Sequence, residues 1–213
     1  MNAQIIAITN QKGGVGKTTT TVNLGVGLAR QGRRVLLVDG DPQGSLTISL
    51  GVKLPDKDTV TLATLMHHSM NHRPLPVGSG LVRHREGVDL LPADIELSGV
   101  EMALFNAEHR ERVLQDVLEP LRSSYDYILI DCPAGLGQGF RLAVCGADRA
   151  VVVAVSDPSS LRDAQHTVME LNHFGPGCLH LVVNRVRKKL LRSMHATIDD
   201  AIDVMEEEAT EDI

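Results

Sequence analysis

Residues Lys12–Thr19 read KGGVGKTT, between an apolar run, IIAIT, and a stretch of helical character, TTTTVNLGVGLARQG. Strand, glycine turn and helix in that order form the setting of a phosphate-binding loop. Gly13, Gly14 and Gly16 let backbone N–H groups turn inward on phosphate oxygens without a side chain in the way. The helix that follows points its positive end at the same anion. Lys17 is placed to reach the β- and γ-phosphates, and the Thr18 hydroxyl to ligate Mg²⁺. The expected nucleotide-binding stretch is Gly13, Gly14, Val15, Gly16, Lys17, Thr18 and Thr19, with a nucleoside triphosphate and Mg²⁺ as its ligands. One position departs from the usual G-x-x-x-x-G-K-[ST] pattern. Gln11 stands where glycine is expected, and an additional lysine, Lys12, follows it.

Acidic residues lie at the ends of two later apolar runs. VLLVDGDPQGS places Asp39 and Asp41 at a strand end, and YILIDCPAG places Asp131 at another. In an open parallel sheet the carboxyl edge of the strands is where ligands bind. An apolar run ending in Asp is the pattern of a Walker B strand, in which Asp131 would hold Mg²⁺ through a water molecule. Asp41, which precedes Pro42, can equally open a turn or cap a short helix. Cys132 reads as a small core hydrophobe.

Six apolar runs are spaced to position these groups: Gln4–Thr9, Arg34–Asp39, Val88–Pro92, Tyr127–Asp131, Ala150–Ser156 and Leu179–Asn184. Several are apolar throughout, as strands buried on both faces must be. Amphipathic stretches lie between them: Lys17–Gln31, Thr61–His68, Glu96–Leu121, Gly139–Cys145, Ser159–Phe174 and Thr197–Glu207. This alternation predicts an α/β fold with one doubly wound, mostly parallel sheet and helices on both faces. Residues 52–85, with Pro55, Pro74, Pro76, Gly78 and Gly80, read as an irregular surface excursion with one short helix. The apolar spacing of Glu96–Leu121 reads as a core helix. His67, His68 and His72 have metal-like spacing, but no Cys or carboxylate completes the set, so no metal is expected there.

KGGVGKTT resembles the deviant Walker A motif of the ParA/MinD family of P-loop ATPases. The first half of the chain is similar to the ParA/Soj branch, through TNQKGGVGKTTTTVNLGVGLARQGRRVLLVDGDPQGSLTISLG, TLATLM and EGVDLLPADIELSGVEMAL. The second half is similar to MinD, through DYILIDCPAGLGQGF, VSDPSSLRDA and LVVNRVRKKLLRSM. The resemblance implies an ATP-dependent homodimer, weak Mg²⁺-dependent ATPase activity raised by an activating partner protein, and a role in chromosome or plasmid partitioning or division-site positioning. It implies that Lys12 crosses the dimer interface to the partner's nucleotide and neutralises the transferring phosphoryl group, as an arginine finger does. By the same resemblance Asp41 positions the attacking water, Asp39 lies near Thr18 and Mg²⁺, and the Pro133–Gly135 segment moves when the γ-phosphate leaves.

Asn184, in VVNR, is either an adenine contact or a loop residue in a turn. Arg185, Arg187, Lys188, Lys189 and Arg192 place five cations within eight residues. They are either a non-specific DNA contact of the ParA kind, which would be electrostatic and salt-sensitive, or a solvated helix start. Relatives continue into a further strand, and those of the MinD kind into an amphipathic membrane-binding helix. The expectation for residues 1–213 is therefore one P-loop ATPase domain without that strand and helix, and with no membrane anchor in view. The alternative activity is a nucleotide-binding module that does not hydrolyse ATP and acts as a regulatory partner.

Composition narrows the field further. With 2% aromatic residues and no Trp, the core must be built from aliphatic side chains, and stacking platforms for single-stranded nucleic acid are not available. A net charge of −6 confines any nucleic-acid contact to a local patch. Cys132, Cys145 and Cys178 form no CxxC pair and read as reduced thiols. No signal sequence or membrane span is visible, and cytoplasm is the expected compartment. Reductase relatives that bridge an iron–sulfur cluster need a cysteine that Pro92–Gly99 lacks. Amide-forming synthetase relatives need a substrate pocket that the sequence does not reveal.

Overall fold

The computed structural model describes residues 2–53, 59–104 and 110–186. In chain order the elements are β1 (Gln4–Thr9), α1 (Lys17–Arg30), β2 (Val35–Asp39), α2 (Ser45–Ser49), α3 (Leu62–Met70), β3 (Val82–Arg83), β4 (Asp89–Leu91), α4 (Glu96–Leu104), α5 (Val113–Leu118), β5 (Tyr127–Asp131), α6 (Gln138–Cys145), β6 (Arg149–Val155), α7 (Pro158–Glu170) and β7 (Leu179–Asn184). The strands form one sheet in the order β3-β4-β2-β5-β1-β6-β7. Every pairing is parallel except that of β3 with β4. The doubly wound, mostly parallel sheet read from the alternation of runs is the one found.

The strand side chains alternate between two cores. Ile5 and Ala7 of β1, Leu36 and Val38 of β2, and Ile128 and Ile130 of β5 face the larger core, beneath α3 to α7. Val35, Leu37 and Leu129 face the other side, where Leu24, Val26 and Leu28 of α1 and Leu46 of α2 cover them. Both faces are buried, which is why these runs carry no polar alternation. Local signals set the helix starts. Thr61 and Thr64 form a capping box at α3, and Asp157 caps α7 by accepting from Ser160 N at 2.8 Å, with Pro158 at the first helical position.

The structure adds two elements and redraws one. The 52–85 excursion contains the two-residue antiparallel strand β3 beside the expected short helix, and the Asp41 loop runs into the one-turn helix α2. The stretch read as one helix over Glu96–Leu121 is α4, then a 3-10 turn at Arg110–Arg112, α5, and a second 3-10 turn at Glu119–Leu121 that contains Pro120. Proline cannot donate the hydrogen bond that would carry α5 onward. The helix expected at Thr197–Glu207 lies outside the described residues. Among those described, no helix is long and apolar enough to cross a membrane.

At the amino edge of the sheet, Arg122 ties three segments together. Its guanidinium donates to Ala3 O at 2.8 Å, to Asp148 Oδ2 at 2.7 Å and to Glu119 Oε2 at 2.8 Å, while Asp148 Oδ2 also accepts from Ile5 N at 2.8 Å. The Arg122 side chain is only 13% exposed, so truncation leaves part-buried acceptors unmatched. Arg122→Ala is expected to cost roughly 1–3 kcal/mol, read from the urea midpoint at unchanged m.

Candidate functional site

The glycine loop runs from the carboxyl end of β1 into α1. Gly14 and Gly16 have φ of 75° and 103°, the left-handed region that other residues avoid. Gly16 is the N-cap of α1. No side chain caps the helix and no acid stands in its first turn, so its leading N–H groups are left for an outside anion. Buried Val15 pins the loop in the small core with Ile8, Val151 and Val153. Gly135 N donates to Gln11 O at 2.8 Å, which joins the loop after β5 to the glycine loop. Thr19 is exposed on the first turn of α1.

Lys17 is 8% exposed, and its ammonium donates to Lys12 O at 3.2 Å, curled over the loop as a phosphate-binding lysine must be. Burial lowers its pKa, and the neighbouring Asp131 carboxylate opposes that shift. Thr18 Oγ1 donates to Asp131 Oδ2 at 2.6 Å, and Thr21 Oγ1 lies 3.4 Å from Asp131 Oδ1. Asp131 is 1% exposed. Burial pushes its carboxyl up to about 7; the Thr18 hydrogen bond works against the shift and Asp39 adds to it. A buried carboxyl held this far above its ordinary range is short of positive charge. Thr18, Asp131 and Lys17 thus suit a divalent cation carried in with a polyphosphate.

Asp39 and Asp131 are register partners across β2 and β5. Their surroundings differ. Asp39 Oδ2 accepts from Thr47 N at 2.8 Å and Thr47 Oγ1 at 2.7 Å, and Oδ1 from Asp41 N at 3.3 Å. Fully buried, with its pKa raised by burial, it anchors the start of α2 and has no hydrogen bond to Thr18. Asp41 forms a turn: its Oδ1 accepts from Gln43 N at 2.9 Å and its carbonyl from Gly44 N at 2.9 Å. Gly40 makes this turn possible, because a Cβ there would stand 2.8 Å from the Asp131 carbonyl oxygen. The Asp41 carboxylate adds a small opposition to the lowering of the Lys17 pKa.

Lys12 leaves the loop in the opposite direction, toward the first turn of α7. Its ammonium donates to Ser159 Oγ at 2.5 Å and lies 3.5 Å from Asp157 Oδ1 and 3.9 Å from Asp163 Oδ2. Gln11 joins the same contact, with Nε2 donating to Asp163 Oδ1 at 2.6 Å. The Gln11 and Lys12 that replace the usual pattern together dock the glycine loop on α7. Asn184 Nδ2 donates to Val15 O at 3.2 Å, and Asn184 Oδ1 accepts from Arg185 N at 2.9 Å. Its amide therefore braces the glycine loop while holding Arg185 at a φ of 56°. Of the five-cation run only Arg185 is described; Arg187, Lys188, Lys189 and Arg192 lie outside the described residues. Burial pushes the Cys132 thiol up, so it packs as a core hydrophobe.

Sequence reasoning missed Thr21, Thr47 and the α7 acceptors of Lys12. Thr21 had a signal, standing three residues after Thr18 on one helix face. The others are tertiary partners with no local mark.

A family model described as an AAA domain matches residues 3–174. The chain is 44% identical over 151 residues to the chromosome partitioning protein ParA of Myxococcus xanthus, covering 70% of this chain and 51% of that one. It is 34% identical over 203 residues to the septum site-determining protein MinD of Synechocystis sp., covering 95% and 72%. Among solved structures it resembles cobyrinic acid a,c-diamide synthase from Mycobacterium smegmatis with bound ATP analog and magnesium, at a TM-score of 0.76 and 32% identity over 98% of this chain and 82% of that one. The chain spans about half the length of curated relatives such as the Myxococcus protein.

Proposed function

Since the chain belongs to the ParA/MinD family of P-loop ATPases, we propose that it binds ATP with Mg²⁺, dimerises around the nucleotide and hydrolyses it slowly, as a switch in chromosome or plasmid partitioning or in division-site positioning. The observation that carries this reading is the cluster of Thr18, Asp131 and Lys17 at an uncapped helix start. When bound, Mg²⁺ held by Thr18 and Asp131 would neutralise charge on the β- and γ-phosphates. Lys17 binds those oxygens from the loop side. Asp41 orients the attacking water. Asp39 holds the Asp41 turn through the Asp41 N–H and the start of α2 through Thr47, at one remove from the metal. Lys12 serves the partner's nucleotide in trans. Arg185 and the cations after it are a candidate DNA contact, and an activating protein sets the rate.

Phosphate release by the purified chain tests the reading, with and without Mg²⁺ and non-specific DNA, and with Lys17→Ala as the non-binding control. Light scattering with an ATP analogue and with ADP reads the dimer. The expected result is slow, Mg²⁺-dependent release and a doubled mass with the ATP analogue alone. ATP bound without any release, with or without DNA, would replace the enzyme by a nucleotide-binding module.

A further inference from the structure

Glu101, on α4, takes no part in the chemistry above, yet its carboxyl reaches the loop that follows Asp131. A Cβ built on Gly139 would overlap Glu101 Oε1 and stand 2.8 Å from Pro133 Cγ, so the carboxyl lies against the first turn of α6 and the loop that follows Asp131. Burial, and to a lesser degree the Asp41 carboxylate, raises its pKa. Half-buried, it makes no hydrogen bond or ion pair among the described residues. The helix it touches needs such a neighbour. The N-cap of α6 is Gly137, which offers no side chain, and its first turn holds no acid. A carboxylate near a helix amino end stabilises the leading turn, where N–H groups lack intrahelical acceptors.

We propose that Glu101 is a positioning residue that fixes the first turn of α6, and with it the loop after Asp131. The loop after Asp131 is also bonded to the glycine loop through Gly135 N and Gln11 O. An anion entering the glycine loop therefore acts on a segment whose far end Glu101 holds. The part concerning turnover rests on the ATPase reading; the part concerning α6 does not.

Hydrogen exchange of the nucleotide-free protein tests the inference directly. Glu101→Ala is expected to speed exchange of the α6 amides roughly five- to tenfold, with the amides of β1 and β2 unchanged. Glu101→Asp should restore most of the protection, and Glu101→Gln, which keeps the shape but loses the charge, should fall between. In turnover, Glu101→Ala is expected to lower kcat severalfold while nucleotide affinity holds. Unchanged exchange in α6 would overturn the proposal. So would exchange that rises across the whole sheet, since Glu101 would then be a packing residue only. A wild-type chain that releases no phosphate would defeat the ATPase reading alone, because the exchange is read without nucleotide.

Discussion

Lys12→Ala is expected to lower ATP turnover on the order of a thousandfold, while nucleotide affinity stays within about fivefold. The two effects separate because the side chain and the main chain of Lys12 do different things. The carbonyl of Lys12 holds the Lys17 ammonium at 3.2 Å, and alanine keeps that carbonyl. The Lys12 ammonium contributes nothing to the cradle in the single chain, since it is turned away onto Ser159, Asp157 and Asp163. Those contacts are loose enough to break. The Lys12 side chain is one-third exposed and that of Asp157 nearly half, and ion pairs in such surroundings are worth at most about 1 kcal/mol. Gln11 keeps Asp163 engaged when Lys12 leaves, so α7 does not lose its hold on the glycine loop. A second chain that presents a nucleotide phosphate offers the ammonium a stronger partner. Single-turnover phosphate release, beside equilibrium titration with a fluorescent ATP analogue, reads both consequences. Turnover that survives the substitution would reduce Lys12 to a tie between the loop and α7, and a lowered melting temperature would then be the only phenotype.

What could be read from the chain was what the chain encodes locally. The glycine loop, Lys17 and Thr18 lie within a few residues of one another, and their strand-turn-helix setting is visible as a change of apolar period from continuous to 3.6. Asp131 was legible because burial on both faces makes β5 apolar up to its last residue. Asp39 was found for the same reason, but its work was not: Thr47 is eight residues on, and nothing before folding says that its hydroxyl turns back to a strand end. The docking of Lys12 spans 145 to 151 residues of sequence and depends on how α7 returns over the sheet. β3 is two residues long and carries no period to detect. Asn184 was expected either at the base or in a turn; its amide braces Val15 O, a contact that exists only because β7 and the glycine loop end at one edge.

The site is costly to the fold that holds it. In the nucleotide-free protein without Mg²⁺, the Asp131 carboxyl titrates at about 7 instead of its ordinary 3.8, because it is buried. The folded state therefore binds this proton more tightly than the unfolded chain does. Its stabilising contribution is full below about pH 4 and is lost as pH rises through 7. Above that range the buried charge costs the apo fold roughly 2–4 kcal/mol. Asp131→Asn keeps the shape and still accepts from Thr18 Oγ1, but carries no charge to bury. It should match the wild type at pH 4, exceed it by that amount at pH 8, and flatten the curve between, as read by urea unfolding in chelator. The same change removes the anionic ligand that Thr18 and Lys17 face, and turnover is expected to fall about a hundredfold or more. Adding nucleotide with Mg²⁺ should raise the melting temperature of the wild type and leave the variant nearly unmoved. A variant no more stable than wild type at pH 8 would mean that Lys17 already compensates the charge, and that the apo site holds no strain for a cation to relieve.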